Sequence, residues 1–337
     1  MSNSPGRPKT NRRAMISDRR ARSELRHWGA RAAVVVSISL LSLCDALPGL
    51  AVQRSGETFA SPEQAAQALA AAWHGGRAAD LIEIFGPAGQ KLVRSGDPVA
   101  ERNARQGMAT SYDQGHRLER GARGEMILVI GKEDWPYPIP IVRQGPRWRF
   151  DIESGAEQII DRRIGRNEMN AIAVARAYVE AQRDYAAKDP ARSGLREYAR
   201  QVASTAGKHD GLYWPAAPGA GESPLGPLVA KAEAKGYAAP PPTAGGRAPL
   251  EGYYFRILMG QGPQAPGGAR SYLAGGHMTG GFALIAFPAR WGDSGVMTFV
   301  VNQHGIVFEK NLGPKTTRIA RQATAYDPDR SWKIAQP

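Results

Sequence analysis

The chain has 337 residues, enough for two domains at ~150 residues each, and 42% of them are apolar, which excludes wholesale disorder. The net charge of +13 points at first to nucleic acid or acidic lipid, but residues 1–51 carry +6 of it through nine Lys/Arg against three acids. The remaining +7 is spread over 286 residues with no basic run interleaved with aromatics, which argues against a nucleic-acid footprint and for a mildly basic soluble protein.

The basic N-terminal stretch ends at Arg31 and is followed by AAVVVSISLLSL and CDALPGLAVQ. This is the basic, apolar and small-residue succession of a secretory signal peptide. The apolar run is shorter than the ~20 residues a membrane span needs, so no stable span is expected once the signal is removed. Gly49 and Ala51 supply small residues before a cleavage point after Ala51, and residues 1–51 are expected to be removed on export to the periplasm. Met15 lies inside the long basic region and offers an alternative start. The single cysteine, Cys44, ends the apolar run where bacterial lipoproteins place their lipidated cysteine. Leu43 stands where lipoprotein processing needs a small residue, so ordinary cleavage is expected instead. The mature chain then has no cysteine and relies on core packing without disulfides.

The mature chain opens with FASPEQAAQALAAAWHGGRAADLIEIFG. Ser61 reads as an N-cap, Pro62 as the first helical residue and Gln64 as the partner of a capping box. HGG breaks that helix and AADLIEIF restarts it. Asp97 and Pro98 repeat the device at SGDPVAERNARQGMATSYDQ. EMILVIG, YPIPIVR and RWRFDIE are strand signals, the last two joined by the QGP turn. Residues 57–160 therefore read as helices followed by a curved antiparallel sheet. A second unit, 167–337, is expected to open on a long helix from Asn167. In it Ala171, Val174, Ala175, Tyr178, Ala181 and Tyr185 share one face. The Gly/Pro-rich segment from Gly207 to Leu250 reads as mostly irregular. GYYFRILM, GGFALIAFP, GVMTFVVN and GIVFEKN are four strands, with NQHG a tight turn between the last two. The boundary between units is expected near RRIGRN.

On SPEQAAQALAAAWHGGRAADLIEIFGP and WRFDI, the first unit resembles the cone-shaped fold of nuclear transport factor two and its bacterial relatives. On NEMNAIAVARAYVEAQRDYA, GYYFRIL and FALIAFPARWGDSGVMTFVVNQHGIVFEKN, the second resembles the globular head of type IV pilins and pseudopilins. Pilins carry their assembling apolar helix directly before the head, and here another domain fills that place. Over nearly the whole mature chain, EDWPYPIPIV, WRFDIESGAEQIIDRRIGRNE, STAGKHDGLYWP, GGFALIAFPARWGDSGVMTF and DPDRSW resemble a bacterial exported-protein family catalogued as domain of unknown function 2950. That resemblance implies export and one architecture, and no activity. The expected fold class is α+β: a cone-like domain of helices and a curved antiparallel sheet, then a pilin-head-like domain of one long helix and an antiparallel meander.

Three stretches look chemical. Gly292-Asp293-Ser294-Gly295 spells the surroundings of a chymotrypsin-like nucleophile. No histidine stands in the setting such a site needs, and Val296 and Met297 follow where those proteases continue with Gly and Pro. The stretch reads as a turn between strands, with Ser294 exposed and dispensable as a nucleophile and Gly295 needed for folding, most of all if it holds a positive φ. In GKHDGLYWP, His209 beside Asp210 is a candidate base oriented by a carboxylate, next to Tyr213 and Trp214. In KEDWPYPIPIV, Trp135 and Tyr137 could line the mouth of a cone. The bland readings are an ordered loop for the first and a proline-protected edge strand for the second. Trp135, Tyr137, His209, Asp210, Tyr213 and Trp214 are the candidate ligand-binding residues. No closed-site spacing for a metal appears and no cofactor is expected. The leading expectation is a non-catalytic envelope protein that binds a protein partner or ligand; the alternative is a periplasmic small-molecule binder or hydrolase with a pocket near Trp135, Tyr137, His209 and Asp210.

Overall fold

Ser61 has extended backbone and its hydroxyl accepts the Gln64 N–H at 3.2 Å, so helix α1 (Pro62–Gly75) starts where the cap and proline require. The Gln64 side chain reaches back to the Ala60 N–H, one residue before the cap. Gly76, at φ 68°, ends the helix in the left-handed region. The structure is a computed structural model and describes residues 56–240 and 248–336. The expected signal peptide, the cleavage point after Ala51 and Cys44 lie outside the described residues.

Helices α2 (Ala78–Phe85), α3 (Gln90–Val93) and α4 (Pro98–Gln114) follow, α4 capped by the Asp97 carboxylate. Five strands come next: β1 (His116–Arg120), β2 (Met126–Ile130), β3 (Trp135–Pro136), β4 (Ile141–Gln144) and β5 (Arg147–Phe150). They form an antiparallel sheet in the order β1-β2-β4-β5, with β3 also paired to β2. Strand β1, HRLER, has no apolar alternation because nearly all of it faces solvent. Leu69, Trp73, Leu128, Ile130, Ile139, Ile141 and Phe150 build the first core between helices and sheet.

Helix α5 (Ile152–Lys188) is 37 residues long, about 55 Å. It begins well before Asn167, so the expected boundary segment RRIGRN lies in its interior. Gly155 and Gly165 both lie inside the helix without breaking it. A side chain at Gly155 would overlap the Pro138 carbonyl, so the glycine lets the helix lie against the chain after β3. The first turns of α5 pack on the first core through Ile152 and Ile159. Its second half buries Ala171, Ala175, Tyr178, Ala181 and Tyr185, as the helical spacing requires, together with Ile172 and Val179. Val174 is only half-buried.

The long Gly/Pro-rich segment contains helix α6 (Gly226–Ala234), which the sequence reading treats as irregular. Strands β6 (Tyr253–Leu258), β7 (Gly260–Gln261), β8 (Arg270–Ser271), β9 (Leu273–Ala274), β10 (His277–Met278), β11 (Ala283–Pro288), β12 (Met297–Asn302) and β13 (Phe308–Asn311) precede helix α7 (Thr316–Gln322) and strand β14 (Lys333–Ile334). The main sheet runs β14-β13-β12-β11-β6 and is antiparallel throughout; β7–β8 and β9–β10 are small ribbons inserted between β6 and β11. Gly305, at φ 80°, makes the expected turn between β12 and β13. Helix α5 covers one face of β11 and β12, and α7 lies on the other face over β11. Tyr253, Tyr272, Phe282, Phe299 and Leu258 centre this second core. The architecture is α+β, with helices packed on antiparallel sheets.

Candidate functional site

The protease-like stretch sits in the eight-residue link between β11 and β12 and closes on itself. Ser294 is 0% exposed. Its hydroxyl accepts the Arg290 N–H at 2.9 Å and donates to the Arg290 carbonyl at 3.1 Å. Gly292, at φ 78°, donates its N–H to the Gly295 carbonyl. The expectation of an exposed Ser294 whose loss costs little stability is therefore corrected: both sides of its hydroxyl are used to hold the turn. Gly295 does not have positive φ either. Glycine is needed there because a side chain would overlap the Tyr253 phenol.

The same turn is where the two cores meet. Arg163 of α5 donates to the carbonyls of Asp293 (2.8 Å), Leu92 (2.8 Å) and Lys91 (2.9 Å), so one guanidinium ties the turn to the end of α3. Burial lowers its affinity for its proton, opposed by the nearby charges of Asp293 and Glu101. Asn167 donates to the Ser294 carbonyl at 2.9 Å, and Arg290 to the Arg94 carbonyl at 3.1 Å. Burial pushes the Asp293 carboxyl up; Arg290, Lys91 and Arg163 pull it down but do not win. Glu168, five residues further along α5 than Arg163, accepts the Val296 and Met297 N–H groups at 2.8 and 2.9 Å.

Asp97 is the second half of this junction. One carboxylate oxygen caps α4 through the Val99 and Ala100 N–H groups. The other accepts the Tyr237 hydroxyl at 2.9 Å and the Gly252 N–H at 2.8 Å, both from the second half of the chain. The carboxylate is fully buried and has four donors, which is what a buried charge requires. Burial and the Asp97 charge hold the Tyr237 phenol above its ordinary range. Asn103 adds a bond to the Lys235 carbonyl at 2.8 Å. The capping role of Asp97 is legible in SGDP; its reach across more than 130 residues to Tyr237 is not.

The six candidate ligand-binding residues fall in different places. Tyr137 is 4% exposed and packs edge-on against Trp73 in the first core. Trp135 meets Tyr137 and lies under Arg162 at 5.8 Å. Trp214 belongs to the second core, Tyr213 packs against it, and His209 stacks on Trp214 at 4.3 Å. Asp210 does not orient His209. Its carboxylate accepts from the Thr205 N–H, the Thr205 hydroxyl and Gln201 at 2.7–2.9 Å. Burial raises its pKa, but those donors together outweigh it and hold the carboxyl below its usual value. His209 makes no hydrogen bond with a carboxylate among the described residues. A single pocket built from these six residues is not formed, because Trp135 and Tyr137 serve one core and Tyr213 and Trp214 the other.

Two histidine–carboxylate pairs escaped the sequence reading, their partners being far apart along the chain. His74 places Nδ1 at 2.8 Å from the Ala70 carbonyl and Nε2 at 3.0 Å from Asp113, an arrangement that favours the doubly protonated ring. The Asp113 hydrogen bond raises its pKa. His277 Nδ1 lies 2.8 Å from Glu197. Neither histidine is hydrogen-bonded to Ser294, whose hydroxyl is committed to Arg290. Among the described residues no group of three or more His, Cys, Asp or Glu could hold a metal, and no helix is long and apolar enough to cross a membrane. Surface grooves among the described residues include one of about 740 Å³ along α7 and one of about 430 Å³ between α5 and the start of α6; neither is lined by the six candidates.

Residues 56–335 match the family described as Protein of unknown function (DUF2950), a span that takes in both cores and the junction between them. The chain belongs to this family. No curated protein and no solved structure matches it. In this DUF2950 chain the turn that looks most catalytic is thus part of the joint, and the loop that looks most like an acid–base site is stapled by its own carboxylate.

Proposed function

We propose that this DUF2950 protein is an exported, non-catalytic envelope protein that acts by binding, with residues 1–51 removed as a signal peptide and the mature chain released to the periplasm. The export half of the reading rests on the basic, apolar and small-residue succession ahead of Ala51. The non-catalytic half rests on one observation: the Ser294 hydroxyl is buried and spent on both backbone groups of Arg290, so it lacks the base an activated serine needs. We further read residues 57–160 as a cone-like domain and 167–337 as a pilin-head-like domain, packed as one unit. What supports this is the order of the elements: helices then a sheet in the first, and the second half of one long helix then an antiparallel meander in the second.

Cell fractionation, with N-terminal sequencing and fluorophosphonate labelling of the recovered protein, tests both halves. The expected result is a soluble periplasmic protein beginning at Val52 that takes up no probe. A mature chain beginning at a lipidated Cys44 would overturn the cleavage reading. Covalent labelling at Ser294, abolished by Ser294→Ala, would overturn the non-catalytic one.

A further inference from the structure

Helix α7 carries Lys315, Arg318 and Arg321 at three-residue spacing on its approach and outer arc, with no acidic residue from Leu312 to Tyr326. All three are exposed, and none forms an ion pair among the described residues. The inner arc is fixed. Thr316 and Ala320 are fully buried against the sheet, and Arg256 of β6 donates to the Ala320 carbonyl at 2.6 Å and to the Ala323 carbonyl at the C-terminus of the helix. Arg321 lies 5.8 Å from the Tyr254 ring centre. The cations are thus displayed from an anchored element. The groove of about 740 Å³ among Pro314, Lys315, Thr317, Arg318, Arg321 and Gln322 is walled by this one helix and its leading turn. It is a dent in an open surface, suited to lying against something broad.

Strand register extends this face. Arg256, Ile285, Val300, Phe308 and Ile334 are cross-strand neighbours in one row and so share the side on which α7 sits. Beyond the helix that row ends in half-buried Phe308 and in Ile334, which is 61% exposed; Ile319 on α7 is 39% exposed. Lys310, on the same side as Phe308, lies over the Trp332 ring at 5.9 Å. Lys310 is paired with Asp329, but Lys315, Arg318 and Arg321 have no such partner among the described residues, and these three beside separately exposed isoleucines and a tryptophan suit a charged sheet of headgroups over hydrocarbon better than the concave mould an acidic peptide would need.

We propose that the α7 face, with Lys315, Arg318, Arg321 and Ile334, docks the protein on an anionic lipid surface. The proposal stands on this surface alone and does not depend on the export reading or on the absence of catalysis. Vesicle co-sedimentation of the purified protein tests it, with phosphatidylcholine alone against phosphatidylcholine containing about one-third phosphatidylglycerol. The expected result is partition at least about tenfold stronger on the anionic vesicles in low salt, lost in high salt. The triple change Lys315→Glu, Arg318→Glu, Arg321→Glu should abolish it while leaving the melting temperature in place, because all three side chains are exposed. Ile334→Ser should weaken it in low salt, with all three cations in place. Equal partition on the two vesicle types would overturn the proposal, whatever the variants do. So would an unchanged triple variant, or displacement from vesicles by millimolar inorganic phosphate, which would make the groove a site for a single small anion.

Discussion

Removing the Ser294 hydroxyl would leave the Arg290 N–H without its acceptor in a partly buried turn. Ser294→Ala should therefore cost about 1 kcal/mol, the lower end of the range for a donor left unsatisfied, since Arg290 itself is exposed. Gly295→Ala should cost more, about 2–3 kcal/mol, because the added carbon overlaps the Tyr253 phenol, itself held by the Met297 carbonyl at 2.9 Å. Chemical denaturation of the two variants measures both. The order matters more than the sizes: a Ser294→Ala protein less stable than Gly295→Ala would contradict the geometry of the turn. These two residues also mark the limit of local reading. GDSG between Pro288 and Met297 spells a strand connection from turn chemistry alone. Nothing nearby in sequence announces Tyr253 as the wall behind Gly295, or Arg163 as the clamp on Asp293.

Along α5, two glycines make opposite demands. Gly165 has nothing within 4 Å of where a side chain would go and lies exposed in the helix interior. Gly165→Ala should stabilise the protein by about 0.5–1 kcal/mol, the difference in helix propensity. Gly155→Ala gains the same propensity but drives a carbon into the Pro138 carbonyl, so it should destabilise by about 2 kcal/mol or more. Thermal melts of the pair check the signs; two stabilising substitutions would show that the helix does not approach Pro138 closely. The legible elements share a feature: each carries an apolar pattern of the right length and period. The stripe from Ala171 to Tyr185 has the helical period, and β11 and β12 are short apolar runs buried on both faces. Strand β1 and helix α7 were unread because both are charged and mostly exposed, and α6 because its short GPLVAKAEA run lies among prolines and glycines. The expected start of α5 falls at Asn167 because the charged RRIGRN segment looks like a boundary, when it is the largely solvent-facing interior of one helix.

At the scale of the whole molecule, the described residues hold two hydrophobic cores joined by helix α5 and a polar junction. Arg163 satisfies three carbonyls, and Asp97 gathers donors from Val99, Ala100, Tyr237 and Gly252. A chain with two cores would ordinarily be free to unfold in two steps. Here uncoupling the cores would expose a carboxylate and a guanidinium whose partners come from both sides, so the cores should unfold together. The candidate pocket could not have been judged from sequence for the same reason: His209 and Asp210 are neighbours in the chain, but Gln201 and Thr205 take the carboxylate while Trp214 takes the ring. Asp97→Ala removes the cap of α4 and strands the Tyr237 hydroxyl and the Gly252 N–H, a loss of about 3 kcal/mol or more. Differential scanning calorimetry of the wild type beside Asp97→Ala tests the joint most directly. The wild type should unfold in a single transition with matching calorimetric and van't Hoff enthalpies, and Asp97→Ala should melt at lower temperature or resolve into two transitions. Two separate transitions in the wild type, or an Asp97→Ala trace superimposable on it, would contradict the joint.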